Sequence, residues 1–441
     1  MEELDKPEKK GKAIKKPSNA SYGGSIVVSS DDDSSSSEEF KRPRYRTRLS
    51  MLKRIPPNFR CWDNLGYSTD DVTGIKFKVV SYNVLAQYLL ECHPYLYTKC
   101  ASKDLKWKAR SARLYDEIVT LAPDILCLQE VQVNHLSSFY SKLEKIGYKG
   151  VFKQKTGDRQ DGCAIYYKNS VFELKDKMSV EFNQPKLPLL NRDNIGVMVK
   201  LMPRKDPHNP IVVATTHLLY NPKRTDVRLA QMQLFLAEID RFAFFINGTQ
   251  SGHMPIILTG DFNSTPDSEV IKLLKNGYVS AQDVRDKSNW ERLGITDNCQ
   301  HLSVYLNRRA GRDTEFRRLQ IYNSDYCDRR PATVRIEDRR PPGPYNLLFN
   351  SGEIWQTLQL LSVYKKNCEE GNEVTTFQDR WVTVDYMYFS CCNRLRLTDS
   401  LRLPSAEDCK VLKRLPNEVY GSDHLALAAV FELVPRPEFP V

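Results

Sequence analysis

Six short apolar runs in this chain end or begin in polar residues that a protein core does not accept without a partner. Ser81-Tyr82-Asn83 closes the run from Phe77, and Gln129-Glu130 closes Ile125–Leu128. Thr215-Thr216-His217 closes the run from Ile211, and Gly260-Asp261-Phe262-Asn263 closes Ile256–Thr259. Asp385 lies within Thr383–Phe389, and Ser422-Asp423-His424 precedes Leu425–Leu433. Apolar runs of this length suit buried strands. Ala164–Tyr167 and Gly196–Leu201 read the same way. Between the strands, Trp107–Leu121 sets Leu114, Ile118 and Leu121 on one helical face, and Asp226–Phe245 does so with Leu229, Met232, Leu236 and Ile239. Ser264-Thr265-Pro266-Asp267 has the composition of a capped helix start. The alternation predicts an α/β domain from residue 56 to 441.

A strand end carrying an unpaired Glu or Asp is costly unless its charge is paired or holds a metal. Any one of the six is more simply a surface terminus, and Gly-Asp-x-Asn alone also makes ordinary turns. As a set they point to a site. Glu130, Asp261, Asp385 and Asp423 brought together would repel one another, and a divalent cation with a protonated histidine would relieve that. The chain has only seven histidines, and two of them fall in this set.

Residues 1–55 read as a disordered charged tail. An acidic serine run over 29–39 offers phosphorylation sites, and a basic run over 41–48 offers a nuclear signal or an RNA-contacting arm. Residues 301–345 carry ten arginines against six acids and read as a long insertion, able to act as a lid or to hold phosphates. The formal net charge of +10 favours an anionic partner, with nucleic acid ahead of an acidic protein. The eleven cysteines are scattered and form no Cys-x-x-Cys pair, which fits a reducing compartment. No signal peptide or membrane-length apolar stretch is evident, so the expectation is a cytoplasmic protein, with a nuclear pool allowed by the basic run.

The six segments, in this order, resemble the endonuclease/exonuclease/phosphatase superfamily from about residue 60 to the C-terminus. His217 to Gln231 and Asp161-Gly162-Cys163-Ala164-Ile165-Tyr166 resemble its nocturnin/poly(A)-deadenylase branch. Leu189 to Asn194, Leu293 to Cys299 and Leu415-Pro416-Asn417-Glu418 are most similar to the Angel proteins. The resemblance implies a two-layered β-sandwich flanked by helices, the four-layer sandwich of DNase I-like proteins. It also implies Mg²⁺, or Mn²⁺ in its place, held by Glu130 with Asn83. Asp261 would deprotonate the attacking water while Asn263 fixes a phosphoryl oxygen. His424, held by Asp385, would bind the phosphate as a cation, and His217 would stabilise developing charge from the other side. Asp423 would support the metal or replace one of its ligands. Asn194, Pro222, Arg380 and Trp381 are the candidate substrate contacts.

The Angel resemblance implies removal of 2′,3′-cyclic phosphate from RNA 3′ ends. The alternatives are a 3′–5′ exoribonuclease acting as a poly(A) deadenylase, and a non-catalytic RNA-binding or translation factor. The deadenylase pattern has an aromatic residue five positions before the Asp of Val384-Asp385-Tyr386. This chain has Arg380 there, followed by Trp381, while Pro222 is kept. Base stacking is worth roughly 1–3 kcal/mol, so the exchange weakens adenine preference and favours the phosphatase. The expected partner is RNA rather than DNA or a membrane. Contact with a cap-binding complex through Tyr-x₄-Leu-Φ is not expected, because the only Tyr-x₄-Leu, Tyr420 to Leu425, is followed by Ala426 and overlaps Ser422-Asp423-His424.

Overall fold

Both faces of the central strands are apolar, and this alone requires that each sheet be covered on two sides. In Ile75–Asn83 (β2), Phe77 and Val79 face one cluster while Val80 and Tyr82 face another. Ile125–Gln132 (β3) repeats the pattern, with Ile125 and Cys127 on one side and Leu126 and Leu128 on the other. The computed structural model describes residues 54–65, 74–184, 187–247, 250–284, 290–310, 345–349, 351–364 and 373–435. All lie in the unit Arg44–Val441. The tail features over 1–53 and the insertion over 311–344 lie outside the described residues.

Two large sheets form the α/β sandwich. The first contains Trp62–Asn64 (β1), β2, β3, Tyr148–Gln154 (β4), Asp161–Lys168 (β5), Leu395–Leu401 (β12) and Leu427–Leu433 (β13), in the order β1-β12-β13-β2-β3-β5-β4. The second contains Phe172–Glu181 (β6), Ile195–Pro203 (β7), Ile211–His217 (β8), Ile256–Asp261 (β9), Leu360–Ser362 (β10) and Asp385–Ser390 (β11), in the order β10-β11-β9-β8-β7-β6. The shared interior includes Phe77, Ile165, Val197, Val213, Ile257, Met387 and Phe431. The helix Trp107–Leu121 (α2), which follows the short Gln87–Cys92 (α1), covers the first sheet through Leu114 and Ile118. Thr225–Ala243 (α3) and Glu269–Asn276 (α4) cover the second. The order is helix, sheet, sheet, helix.

All eight expected strands are present. Those not foreseen, β1, β4, β6, β10 and β12, include all four edge strands. β6 carries Glu173, Lys175, Asp176 and Lys177, and such charges protect an edge while hiding its alternation. α3 ends at Ala243 rather than Phe245, and Phe244–Asn247 turns into a ribbon with Gln250–His253. The expected helix start at Ser264 moves to Glu269, with Ser268 before it. Ser264 is instead turned inward, donating to the Phe262 carbonyl at 2.9 Å and accepting from Arg228 Nε at 3.2 Å. The first part of the arginine-rich segment is a helix, Leu302–Ala310 (α5), with His301, Leu302 and Val304 buried. Among the described residues no helix is long and apolar enough to cross a membrane.

Candidate active site

Strand direction brings the six segments together. β2 and β3 are parallel, with Asn83 opposite Gln129 at their C-terminal ends. β13 runs antiparallel to β2 and pairs Leu427 with Ser81, so the residues just before β13 reach the same edge. In the second sheet β8 and β9 are parallel, with His217 beside Asp261. β11 is antiparallel and pairs Asp385 with Asp261. Asp385 therefore opens its strand instead of sitting within it, and this direction delivers it to the shared edge. Three hydrogen bonds then join the two sheets. Asn83 Nδ2 donates to Asp261 Oδ2 at 3.0 Å, Gln129 Nε2 donates to Thr215 Oγ1 at 2.8 Å, and His424 Nδ1 lies 2.8 Å from Asp385 Oδ2.

The turns at this edge require special backbone. Gly260 has φ 151°, and a Cβ there would meet the Thr216 carbonyl oxygen at 2.1 Å. Glu130, Asn263 and Leu85 take φ of 61°, 48° and 54°, uncommon for side-chain-bearing residues and frequent where a site holds strain.

The charges are unequal partners. Asp261 is buried, and burial followed by the neighbouring Asp385 pushes its carboxyl up to about 7, against the pull of His424, the Asn263 N–H and the Asn83 amide. Burial opposes the charge on His424, but Asp385, Asp423 and Asp261 together hold its pKa well above the usual histidine range. With Nδ1 on Asp385, its Nε2 lies 3.8 Å from Asp261 Oδ2 and 3.9 Å from Asp423 Oδ1. His217 behaves oppositely: burial, then Lys155 and His424, drive its pKa well below the usual range. Its Nε2 is 3.6 Å from Asp261 Oδ2, which is therefore the approach of a neutral ring and not an ion pair. Glu130 is raised by burial and by Asp161 and Asp423. It takes one hydrogen bond from Asn83 Nδ2 at 3.0 Å and one from the Ala86 N–H at 2.9 Å.

This donor set fits a hard divalent cation, which prefers oxygen ligands. Among the described residues Asp261, Asp385 and His424 bring ligand atoms within 4.8 Å of one another. A protonated His424 bonded to Asp385 cannot ligate, however, so the edge at Glu130 is the better place. Holding a cation through Asn83 requires that amide to turn its oxygen, now accepting from the Leu85 N–H at 3.0 Å, toward Glu130.

The Endonuclease/Exonuclease/phosphatase family model matches residues 80–424, which includes every one of the six segments. The chain belongs to this family. Protein angel homolog 1 of Rattus norvegicus is 34% identical over 438 residues, covering 84% of this chain and 65% of that protein. Thus the chain spans about two thirds of that relative's length. Protein angel of Drosophila melanogaster is 36% identical over 391 residues, covering 85% of this chain and 87% of that protein. The crystal structure of ANGEL2, a 2′,3′-cyclic phosphatase, in complex with adenosine-2′,3′-vanadate, superposes with a TM-score of 0.67 at 33% identity. It covers 85% of this chain and 98% of that one. The human Nocturnin catalytic domain shares the fold, with a TM-score of 0.50 and 21% identity over 86% of this chain and 100% of that one.

In this family member the four candidate substrate contacts fall in different places. Asn194 is buried behind His217, donating from Nδ2 to the His217 carbonyl at 3.0 Å and accepting from Gln231 Nε2 at 3.2 Å. Both ends of its amide are engaged, so it positions His217 instead of reaching for a ligand. Pro222 is exposed, in a loop that the buried Arg228 holds through the Asn221 and Pro222 carbonyls. Arg380 is exposed on the ribbon Thr376–Gln378 and Arg380–Val382, which Thr376 ties to the Asp423 carbonyl at 2.8 Å. Trp381 is half-buried, packing edge-on to Phe377 with ring centroids 5.1 Å apart. Asn263 Nδ2 donates to the Leu218 carbonyl at 2.9 Å, so that amide braces the loop carrying Asp261.

Sequence reasoning missed the supports. Lys155 Nζ lies 2.7 Å from Asp161 Oδ2, and Asp161 and Glu130 hold its pKa up against burial. Tyr88 donates to the other oxygen of Asp161. Tyr97 donates to Asp423 Oδ2 at 2.8 Å. Arg110, fully buried on α2, donates to the carbonyls of Gly421 and Val84 at 2.8 Å each and so clamps the loops after β2 and before His424. Lys155 is one of several lysines around β4, and Arg110 falls at helical spacing before Leu114 and Ile118. Only the latter spacing offered a signal.

Proposed function

We propose that this chain is a Mg²⁺-dependent phosphoesterase acting on RNA 3′ ends, with a terminal 2′,3′-cyclic phosphate as its substrate. The observation that carries the reading is a protonated His424 facing an Asp261 that titrates near neutrality, beside the uncompensated Glu130. A base works best when its pKa lies near the working pH. The substrate choice is supported by the likeness to ANGEL2 and by the net charge of +10. Arg380 in place of a stacking aromatic further disfavours a deadenylase.

Mg²⁺, or Mn²⁺ in its place, would be held by Glu130 and Asn83 and would neutralise phosphate charge. Asp261 orients a water and takes its proton as the water oxygen bonds to phosphorus. The Asn263 N–H, 2.9 Å from Asp261 Oδ1, and the Asn83 amide fix the carboxylate's orientation. His424 keeps its proton on Nε2 toward a phosphoryl oxygen because Nδ1 is held by Asp385. His217, being neutral, donates a hydrogen bond without placing a second cation beside His424. Asp423, tied to Tyr97, keeps the far side of His424 negative and stands as the alternative metal ligand. Each hydrolysis makes one water-derived O–P bond and breaks one ribose O–P bond, with the ribose oxygen taking a proton. Two such steps leave a 2′,3′-diol and free phosphate.

The test uses the protein with Mg²⁺ and two oligoadenylates, one ending in 2′,3′-cyclic phosphate and one in a diol. Phosphate release from the first and an intact second are expected. Stepwise shortening of the diol would establish the exoribonuclease instead. Inertness toward both, with RNA binding intact, would establish the non-catalytic factor.

A further inference from the structure

Two aromatic rings at the rim have no role in the chemistry above. Tyr95 is 67% exposed and Tyr220 is 53% exposed. Large exposed rings are ordinary when scattered, but these two are each fastened to a reaction-centre segment. Tyr220 follows His217 by three residues. Its neighbours are fixed, since the Leu219 N–H donates to Gln231 Oε1 at 3.0 Å and the Asn221 carbonyl accepts from Arg228. Tyr95 sits in the single turn Pro94–Tyr97, and the last residue of that turn is bonded to Asp423. The His93 ring stands edge-on to Tyr95, with centroids 5.8 Å apart.

The two rings share one space. Burial raises the Tyr220 phenol, and Tyr95, Asp423, Asp379 and Asp261 raise it further, so its hydroxyl lies in the field of both the reaction centre and the other tyrosine. A phenol kept neutral this way does not repel a phosphate. Neither ring is committed to a hydrophobic cluster, whereas Trp381 packs beside Val374 and Leu425.

We propose that Tyr95 and Tyr220 form a stacking rim that grips the terminal nucleobases of the RNA whose 3′ phosphate enters the site. This rests on the RNA phosphoesterase reading. Aromatic faces stack on any base, so the rim supplies affinity for unpaired ends with little sequence preference. The turn at 94–97 and the loop at 218–222 then bind the base while His424 and Asp261 address the phosphate.

Two measurements on the full chain test it. The first follows fluorescence of an oligoadenylate carrying a 3′-terminal 2-aminopurine, with divalent ions removed so that no turnover occurs. Quenching on binding is expected for the wild type, and its loss for Tyr220→Ala and Tyr95→Ala. The second compares an oligomer ending in adenosine 2′,3′-cyclic phosphate with one whose terminal ribose 2′,3′-cyclic phosphate bears no base. The wild type should prefer the first by about tenfold or more in KM, and the double variant should lose that preference, since stacking on one base changes affinity by about ten- to a hundredfold. Unquenched fluorescence on wild-type binding, or variants that quench like the wild type, would overturn the rim. So would equal KM increases on both oligomers, as expected if the rings support only the fold or a protein contact. If the wild type hydrolyses neither oligomer, the phosphoesterase reading fails while the fluorescence result still decides the rim.

Discussion

Two buried clusters of histidines and carboxylates lie in this molecule, and they are balanced in opposite ways. On α3, Glu238 and Asp240 are almost fully buried. Glu238 meets Arg241 at 2.6 Å and His301 at 2.9 Å, and Asp240 meets His253 at 2.8 Å and Arg308 at 2.9 Å. Burial opposes their ionisation, yet Arg241 and His301 bring Glu238 down to about 2, and His253 and Arg308 lower Asp240. At the strand edge, Glu130 and Asp261 are raised instead, and His217 is kept neutral. The first cluster matches each carboxylate with cations and serves the fold. The second gathers carboxylates faster than cations, and the imbalance is what a metal ion and a phosphate can use.

The sharpest way to break the contrast is to remove single groups. Glu130→Ala and His424→Ala should each lower turnover by about 10³–10⁴-fold with no loss of thermal stability. Survival of activity in either variant would remove that residue from the mechanism. Glu238→Ala should do the reverse, destabilising the fold by about 3–5 kcal/mol because His301 and Arg241 lose a buried partner. Denaturant unfolding reads this directly, and a midpoint equal to the wild type would mean that the cluster is not structural.

pH separates the clusters by sign. The folded pKa of Glu238 is depressed, so its stabilisation is complete above the unfolded value near 4.5 and is lost as pH falls toward 2. The folded pKa of Asp261 is raised, so this group costs stability as pH rises from about 4 through 7. In metal-free protein at pH 8, Asp261→Asn should therefore be more stable than wild type by on the order of 1–3 kcal/mol, with the gain gone at pH 4. A gain independent of pH would contradict the raised carboxyl. The smallest expected effect is that of Asn194→Ala, about tenfold in kcat, since it only positions His217. A change confined to KM would instead return Asn194 to the substrate.

The same imbalance explains what was legible in the sequence. Apolar runs buried on both faces identify central strands, and a polar residue at the end of such a run is conspicuous, which is why Asp261, His217 and Glu130 could be picked out. β6 and β4 could not, because edge strands expose charges that resemble loop composition. Arg110 and Lys155 were invisible for another reason. A buried cation is recognised by the carbonyls or carboxylates it meets, and these lie far away in the chain, as Gly421 does from Arg110. Asn194 misled because an amide can serve a ligand or a backbone carbonyl equally well. α3 also exceeded its amphipathic reading, since the segment from Trp290 through α5 covers the face that bears Glu238 and Asp240.

The most direct test of the central claim, that the strand edge holds uncompensated negative charge suited to a cation, is the Mg²⁺-dependent shift in melting temperature of wild type against Glu130→Gln. Added Mg²⁺ is expected to raise the Tm of the wild type by several degrees and to leave Glu130→Gln unmoved. An equal rise in both proteins would place the ion elsewhere and contradict the account.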